Sequence, residues 1–264
     1  PGYDPAMQAM VGFMELTGAR DGPPMLSGVP LIDLKAGDDV YAEVMAALLE
    51  REETGQGRQI HVSMLQSAAS WLVTTMPLLN FDCDPSEIGR AGNEHRKFIP
   101  TNAYPTADGF VFVAIGNDLQ WKRLTQIPKF AGLARETRQT QEGRQQERAS
   151  IHAEIAGITR RYTRAELMED FRRATIPHAP IQTIAQVAAM EPVARKMSTS
   201  TMPDGRTIRL QPPAVDLDRP AHFAFPPRYG EHTASVLREA GVDDAECARL
   251  AASGVVSLGQ PDPG

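Results

Sequence analysis

Apolar positions in the first eighty residues fall on helical spacing. In PAMQAMVGFMELTG, residues 5–18, Met7, Met10, Val11 and Met14 share one face and Gly18 offers a stop, so one helix is expected. After the loop ARDGPP and the apolar run MLSGVPLI, a second helical pattern opens at Asp33. Val40, Val44 and Leu48, with Tyr41, Met45 and Leu49, form a broad apolar stripe on it, the mark of a helix packed on a core, and Gly55 and Gly57 end it. RQIHVS, residues 58–63, alternates polar and apolar as a short strand does. Ser63 and Gln66 have capping-box spacing, which predicts another helix, lined by Leu65, Ala68, Ala69, Leu72 and Met76. Helix, strand, helix indicates an α/β layer.

The pattern changes near residue 82. CDPSEIGRAGNEHRKFIP is polar and punctuated by Gly and Pro, as a linker or functional loop is. NAYPTADGFVFVAIG predicts two short strands around an Asp108-Gly109 turn, and Asn117 then begins a helix carrying Trp121 and Leu124. Residues 134–176 are charged and mostly helical in pattern. Thr163 with Glu166 and Thr183 with Gln186 have capping-box spacing, and TMPDGRTIRL predicts a hairpin turning at Asp204-Gly205. Residues 95–211 therefore read as a smaller α+β unit. A Pro-rich loop follows, then a helix from about Thr233 to Ala240 stopped by Gly241, then one more helical turn.

Composition narrows the classes. The chain has 264 residues, 42% hydrophobic and 23% charged, ordinary for a globular protein with a substantial core. Its net charge of −6 and the lack of a long Lys/Arg block argue against nucleic acid or an anionic membrane as main partner. No run reaches the roughly 18 continuous apolar residues of a membrane span. The two cysteines, Cys83 and Cys247, lie far apart without metal-ligand spacing, so no disulfide framework and no metal are expected, and a reducing cytoplasm fits. The chain opens PGYDPAMQAM, without an initiator Met and inside patterned sequence, so a piece of a longer protein is expected.

Two segments carry candidate chemistry. Asp33, at the end of GVPLI, reads as an N-cap whose oxygen accepts a first-turn N–H. It also reads as a reactive carboxylate, kept ionised by the helix N-terminus and able, in a dry pocket, to attack an acyl group. Gly37 nearby would let a ligand approach the backbone. GRAGNEHRKF, residues 89–98, reads either as an exposed polar loop or as a mobile flap whose amides and basic groups meet an anionic substrate. His61 is expected to point outward from its strand, His152 to lie on a helix surface, and His178 to sit in a loop. Asp38, Asp39, Glu50, Glu52 and Glu53 read as a solvated helix face. GxSxG, HExxH, Walker and GxGxxG patterns are absent, so hydrolase, metalloprotease and nucleotide-triphosphatase readings have no motif behind them.

GPPMLSGVPLIDLKAG, followed by MAALLEREETGQGRQIHVSMLQSA, resembles the class III CoA-transferases, the family of formyl-CoA and carnitine-CoA transferases. The resemblance continues in order through AGNEH, YPTADGFVFVAIGNDLQWKRL, IPHAPIQTIAQV and YGEHTASVLREAG. It implies an α/β fold: part of the family's large domain over residues 1–88, a linker and smaller α+β domain over 89–211, and a return segment with C-terminal helices over 212–264. It also implies an interlocked homodimer. By the same resemblance Asp33 matches the family nucleophile, Met64 a position lining the coenzyme A site, and residues 89–95, with Gly92, Asn93, Glu94 and His95, a loop that covers the reacting centre. The chain departs from the family in beginning after the N-terminal portion that carries most coenzyme A contacts. Glu94, His95 and Arg96 also stand where formyl-CoA transferases have consecutive glycines.

The implied reaction moves CoA from an acyl-CoA to an acceptor carboxylic acid through aspartyl anhydride and aspartyl-CoA intermediates on Asp33. The oxyanions would be met by amides of a helix start or a glycine loop. His95, Arg96 and Lys97 hint at an anionic acceptor, a dicarboxylate among the options. Two rivals stay open. In 2-methylacyl-CoA racemases of the same superfamily the matching aspartate pairs with a histidine to exchange an α-proton. A non-catalytic fragment, competent only in assembly, is the other.

Overall fold

The computed structural model describes residues 2–84, 87–216 and 222–259, which form two compact units, residues 1–181 and 182–264. Helices and two small sheets mix along the chain, and no described helix is long and apolar enough to cross a membrane.

The first unit begins with four helices: α1 (Asp4–Met10), α2 (Phe13–Leu16), α3 (Leu31–Thr54) and α4 (Met64–Ser70). The single helix expected over 5–18 is two, because Gly12 takes a left-handed φ of 82° and breaks the ladder. Met10 is exposed as a result, while Val11 joins Ile32 and Ala68 in a small apolar cluster flanked by Met7, Phe13 and Met64. α3 ends as predicted at Gly55, in the left-handed conformation. Its apolar stripe is not packed: Val40, Tyr41, Val44, Met45, Leu48 and Leu49 are all exposed, and Ile32 alone of the helix is buried. Periodicity reports that a face wants burial, not which polypeptide buries it. Residues 58–63 form no strand, since a strand exists only by pairing with a neighbour and none pairs with them among the described residues. Ser63 caps α4 by accepting the N–H of Gln66 at 3.4 Å, but Leu65 and Met76 stay exposed.

The rest of the first unit carries the main core. β1 (Thr101–Thr106) and β2 (Gly109–Ala114) pair antiparallel, with Thr106 opposite Gly109 across the predicted turn. After α5 (Asp118–Gln126), α6 (Gln141–Gln146), α7 (Arg148–Thr159) and α8 (Arg164–Arg173), β3 (His178–Pro180) adds antiparallel to the far edge of β2. Asn117 caps α5, accepting the N–H of Gln120 at 2.9 Å, and Thr163 with Glu166 closes a full capping box on α8. Val111 and Val113 alternate inward from β2 onto Trp121, Leu124, Phe130, Ile151, Ile155, Leu167 and Phe171. Two arginines are wholly buried here. Arg138 is satisfied by Glu147, Glu154 and Ser150, and Arg144 by Asp118, Gln141 and the carbonyls of Ile99, Arg138 and Gln139.

The second unit opens with α9 (Ile184–Ala189), capped by the Thr183–Gln186 box, and α10 (Glu191–Ala194). β4 (Thr199–Thr201) and β5 (Thr207–Arg209) form the predicted hairpin, and β6 (His222–Phe223) runs parallel to β4 on its other side. α11 (Thr233–Glu239) stops before Gly241, which is left-handed, and α12 (Asp244–Ala252) is longer than the single turn expected.

Candidate functional site

Asp33 is the third residue of α3, not its cap. Pro30 stands at the N-cap position without a side-chain hydrogen bond, and the capping role is filled from α1. The carboxylate of Asp4, almost fully buried, accepts the N–H of Ile32 at 2.8 Å and of Asp33 at 3.2 Å on Oδ2. Gln8, buried one turn further along α1, donates to Asp4 Oδ1 at 2.6 Å and accepts the N–H of Ser27 at 3.1 Å, so the strap entering α3 is pinned at both ends. Sequence reasoning missed this pair because its partners lie about twenty to thirty residues away.

With its backbone held, the Asp33 side chain is left open. It is exposed, and among the described residues no hydrogen bond or ion pair engages its carboxylate. The first-turn donors that could have met an oxyanion are already taken: Leu31 N–H by Val29 O at 2.8 Å, and Ile32 and Asp33 by Asp4. The helix start therefore does not supply the fixed donors expected of it.

Met64 is half-buried on the cluster that holds Ile32, one residue from Asp33. Gly37 is exposed, and a Cβ built on it would meet nothing within 4 Å. Asp39 is not merely solvated: Lys35 and Ser67 both donate to it, the Ser67 Oγ at 2.5 Å, and these bonds hold its carboxyl below the usual range.

The segment 89–98 is a loop tied down at its base. Gly92 donates its N–H to Gly18 O at 2.8 Å, and Arg90 bonds Gly22 O at 3.1 Å and ion-pairs with Glu15 at 2.6 Å. Gly18 must be glycine: its φ is +122°, and a Cβ would sit 2.8 Å from Pro23 O and 3.1 Å from Arg90 Cδ. Asn93 and His95 face solvent while Glu94 turns inward. His95 Nδ1 accepts the N–H groups of Lys97 and Phe98 at 3.1 and 3.0 Å, and its ring lies 4.5 Å from that of Phe98. Burial, then the charges of Arg96 and Arg148, push its pKa down, so it turns the chain as a neutral ring. No hydrogen bond or ion pair joins Asp33 to Gly92, Asn93, Glu94 or His95 among the described residues. Both segments are tied to residues 4–22, and the loop is held in addition by Thr101 O, Gln145 and Arg148.

Glu94 meets residues the sequence reading did not group with it. Arg148 Nη1, Arg20 Nη2 and His152 Nε2 lie 3.4, 3.7 and 3.9 Å from its Oε2. His152, expected at a surface, is buried, because its position on α7 faces β1, where Tyr104 Oη lies 2.7 Å from its Nδ1. His178, expected in a loop, is in β3 and bonds Ile176 O through Nδ1 at 2.7 Å. Beside Glu94 a cavity of about 380 Å³ is lined by Arg20, Arg96, Lys97 and Arg148 together with Asp84, Glu87 and Glu142. No cluster of three or more His, Cys, Asp or Glu placed to hold a metal occurs among the described residues.

Comparison with known proteins adds the following. The profile of CoA-transferase family III matches residues 1–233. Over 243 residues the chain is 30% identical to a succinate–glutarate CoA-transferase of Agrobacterium fabrum, covering 90% of this chain and 60% of that protein. It is 29% identical over 261 residues to a succinyl-CoA:glutarate CoA-transferase of Mus musculus, covering 97% and 59%. It is 30% identical over 248 residues to a succinyl-CoA:mesaconate CoA-transferase of Haloarcula marismortui, covering 92% and 62%. The crystal structure of a CaiB/BaiF family protein from Brucella suis superposes with a TM-score of 0.74 at 27% identity, over 90% of this chain and 62% of that one. The chain thus spans about 60% of the length of these relatives.

Proposed function

The chain belongs to CoA-transferase family III, and from that premise we propose that Asp33 is the nucleophile of a CoA transfer from an acyl-CoA to a carboxylic acid. The observation that carries this reading is the division of labour at the start of α3. Asp4 fixes the backbone of Asp33, while the Asp33 carboxylate is left without a partner on an accessible surface. An N-cap would have its oxygens committed to amides; a nucleophile must not.

The chemistry then runs in balanced steps. A carboxylate oxygen of Asp33 adds to the thioester carbonyl and expels CoA thiolate, leaving an acyl-aspartyl anhydride. The thiolate attacks the aspartyl carbonyl, releasing the first acid and forming an aspartyl-CoA thioester. The acceptor carboxylate attacks that thioester to give a second anhydride and thiolate. Attack of the thiolate on the acceptor's carbonyl then yields the new acyl-CoA and restores Asp33. A carboxylate is a weak nucleophile, so position and exclusion of water carry the rate. The oxyanion donors must come from outside the α3 start, whose amides are spent. In the loop, the N–H groups of Ala91 and Asn93 have no acceptor among the described residues.

In this reading the exposed stripe of α3 is covered by further polypeptide, an interlocked second chain included, and that cover dries the Asp33 surface. Met64, on the Ile32 cluster, and Gly37, with open space over its Cα, border the coenzyme A, and the loop holding Gly92, Asn93, Glu94 and His95 closes over the acyl group. We assign a dicarboxylate as acceptor. The relatives described above are named for succinate, glutarate and mesaconate, and that alone supports the assignment, since the cavity beside the loop mixes four cationic with three acidic side chains. The test is covalent trapping in the protein at the full length of its relatives, with succinyl-CoA and hydroxylamine. Mass spectrometry should place a hydroxamate on Asp33, and Asp33→Asn should abolish both adduct and turnover. An adduct elsewhere, or transfer at near-normal rate by Asp33→Asn, rejects the assignment.

A further inference from the structure

We propose that Tyr104, His152 and Glu94 form a latch for the loop 89–98, in which the Nε2–H of His152 captures the Glu94 carboxylate when the loop closes. The inference deepens the covering role given to that loop above, but its test does not depend on any transfer chemistry.

Three observations meet at Glu94 and His152. Glu94 Oε2 faces three donors, Arg148 at 3.4 Å, Arg20 at 3.7 Å and His152 Nε2 at 3.9 Å. Charge-assisted N–H···O bonds settle at about 2.7–2.9 Å, so the carboxylate already bonds Arg148 at a long distance and stops about 1 Å short of ideal contact with Arg20 and His152. Second, His152 Nε2 is buried with no hydrogen-bond partner, a costly state for a ring nitrogen unless a partner can arrive. Third, the other ring nitrogen is fixed. Tyr104 is buried, and burial followed by the nearby Glu94 charge raises its hydroxyl well above the usual phenol range, so it keeps its proton.

The tautomer follows. Burial and Arg148 lower the His152 pKa against the opposing pull of Glu94, burial being the largest cause. The ring is therefore neutral at pH 7 and carries one proton. Glu94 is an acceptor, so the proton belongs on Nε2, and Tyr104 donates to Nδ1. The charged and titratable groups facing His152 are Tyr104 from β1, Glu94 from the loop and Arg148 from its own helix. The loop backbone is held on both sides of Glu94, through Gly92 to Gly18 and Arg90 to Glu15 before it, and through His95 N–H to Thr101 O at 3.1 Å and Arg148 Nη2 to Arg96 O at 2.6 Å after it. Closing the gap of about 1 Å to His152 therefore takes a small turn of the Glu94 side chain between these anchors, without breaking secondary structure. His152 is a positioning residue in this scheme, acting through Glu94.

The test is on this chain. With ¹⁵N-labelled histidine at pH 7, His152 should show a protonated Nε2 and an acceptor-type Nδ1. Tyr104→Phe, which preserves the ring packing, should change the Nδ1 shift and mix the tautomers. Amide exchange of Gly92, Glu94 and His95, corrected for intrinsic rate, should accelerate about fivefold in His152→Phe and in Glu94→Gln. Amides of β2 should be unchanged in Glu94→Gln, which keeps the size of the side chain and lies outside the apolar core. A proton on Nδ1 in the parent chain, or unchanged loop exchange in Glu94→Gln, overturns the latch.

Discussion

Asp4 lies beneath the backbone of Asp33: its Oδ2 accepts the N–H of Asp33 at 3.2 Å and that of Ile32 at 2.8 Å, across 29 and 28 residues of sequence. One buried acid thus sets the stage on which a second, exposed acid is presented. Removing the first should cost stability. Asp4→Ala leaves two first-turn donors and the Gln8 amide without their acceptor. It is expected to lose about 1–3 kcal/mol, read as a lower urea midpoint with an unchanged slope.

The second acid should behave oppositely. Asp33→Ala removes a side chain with no partner among the described residues and replaces it with a better helix former. Unfolding free energy should stay within about 0.5 kcal/mol of the parent. A large loss would mean that Asp33 is structural.

The main core follows ordinary packing energetics. Leu124 is 1% exposed among Val111, Trp121 and Phe130. Leu124→Ala should cost about 2–5 kcal/mol by transfer loss and cavity formation, visible in the same urea titration.

Arg138 makes the stability pH-dependent. Its hydrogen bonds are the largest cause holding Glu154 below the usual carboxylate range; for Glu147, Thr137 comes first and Arg138 second. A carboxyl whose pKa is lower when folded contributes fully above its unfolded value, 4.5, and loses that contribution as pH falls through the folded one. Tm should therefore decline as pH drops below about 4.5. Arg138→Ala, with both glutamates able to rehydrate, should cost about 2–4 kcal/mol at pH 7 and flatten that acid limb.

The α3 stripe predicts self-association. Tyr41 and Leu49 are 69% and 67% exposed. Tyr41→Ser with Leu49→Gln should leave the stability of this chain within about 1 kcal/mol. The same pair should reduce hydrophobic-dye binding and the concentration-dependent mass seen by analytical ultracentrifugation.

Most caps, stops and turns were legible locally, although Gly12 split the helix expected over 5–18 and Asp33 did not cap α3. Asn117, Thr163 and Thr183 cap the helices they precede, Gly55 and Gly241 end theirs, and the Asp108-Gly109 and Asp204-Gly205 turns join paired strands. Each depends on groups within about four residues, and a short window contains all of them. Residues 58–63 and the stripe of α3 failed for one shared reason: pairing and burial need a second surface, which periodicity cannot name.

By itself, then, the sequence determined the local elements, the family pattern around GVPLIDLKAG and the candidacy of Asp33. Tertiary structure alone decided that Asp33 is not a cap, that Asp4 is, and that His152 is buried against Tyr104 and turned toward Glu94. Those outcomes turn on which remote donors and acceptors arrive at a site. A hydrogen bond over 28 or 48 residues leaves no periodic trace in the chain, because only folding brings its two ends within 3 Å.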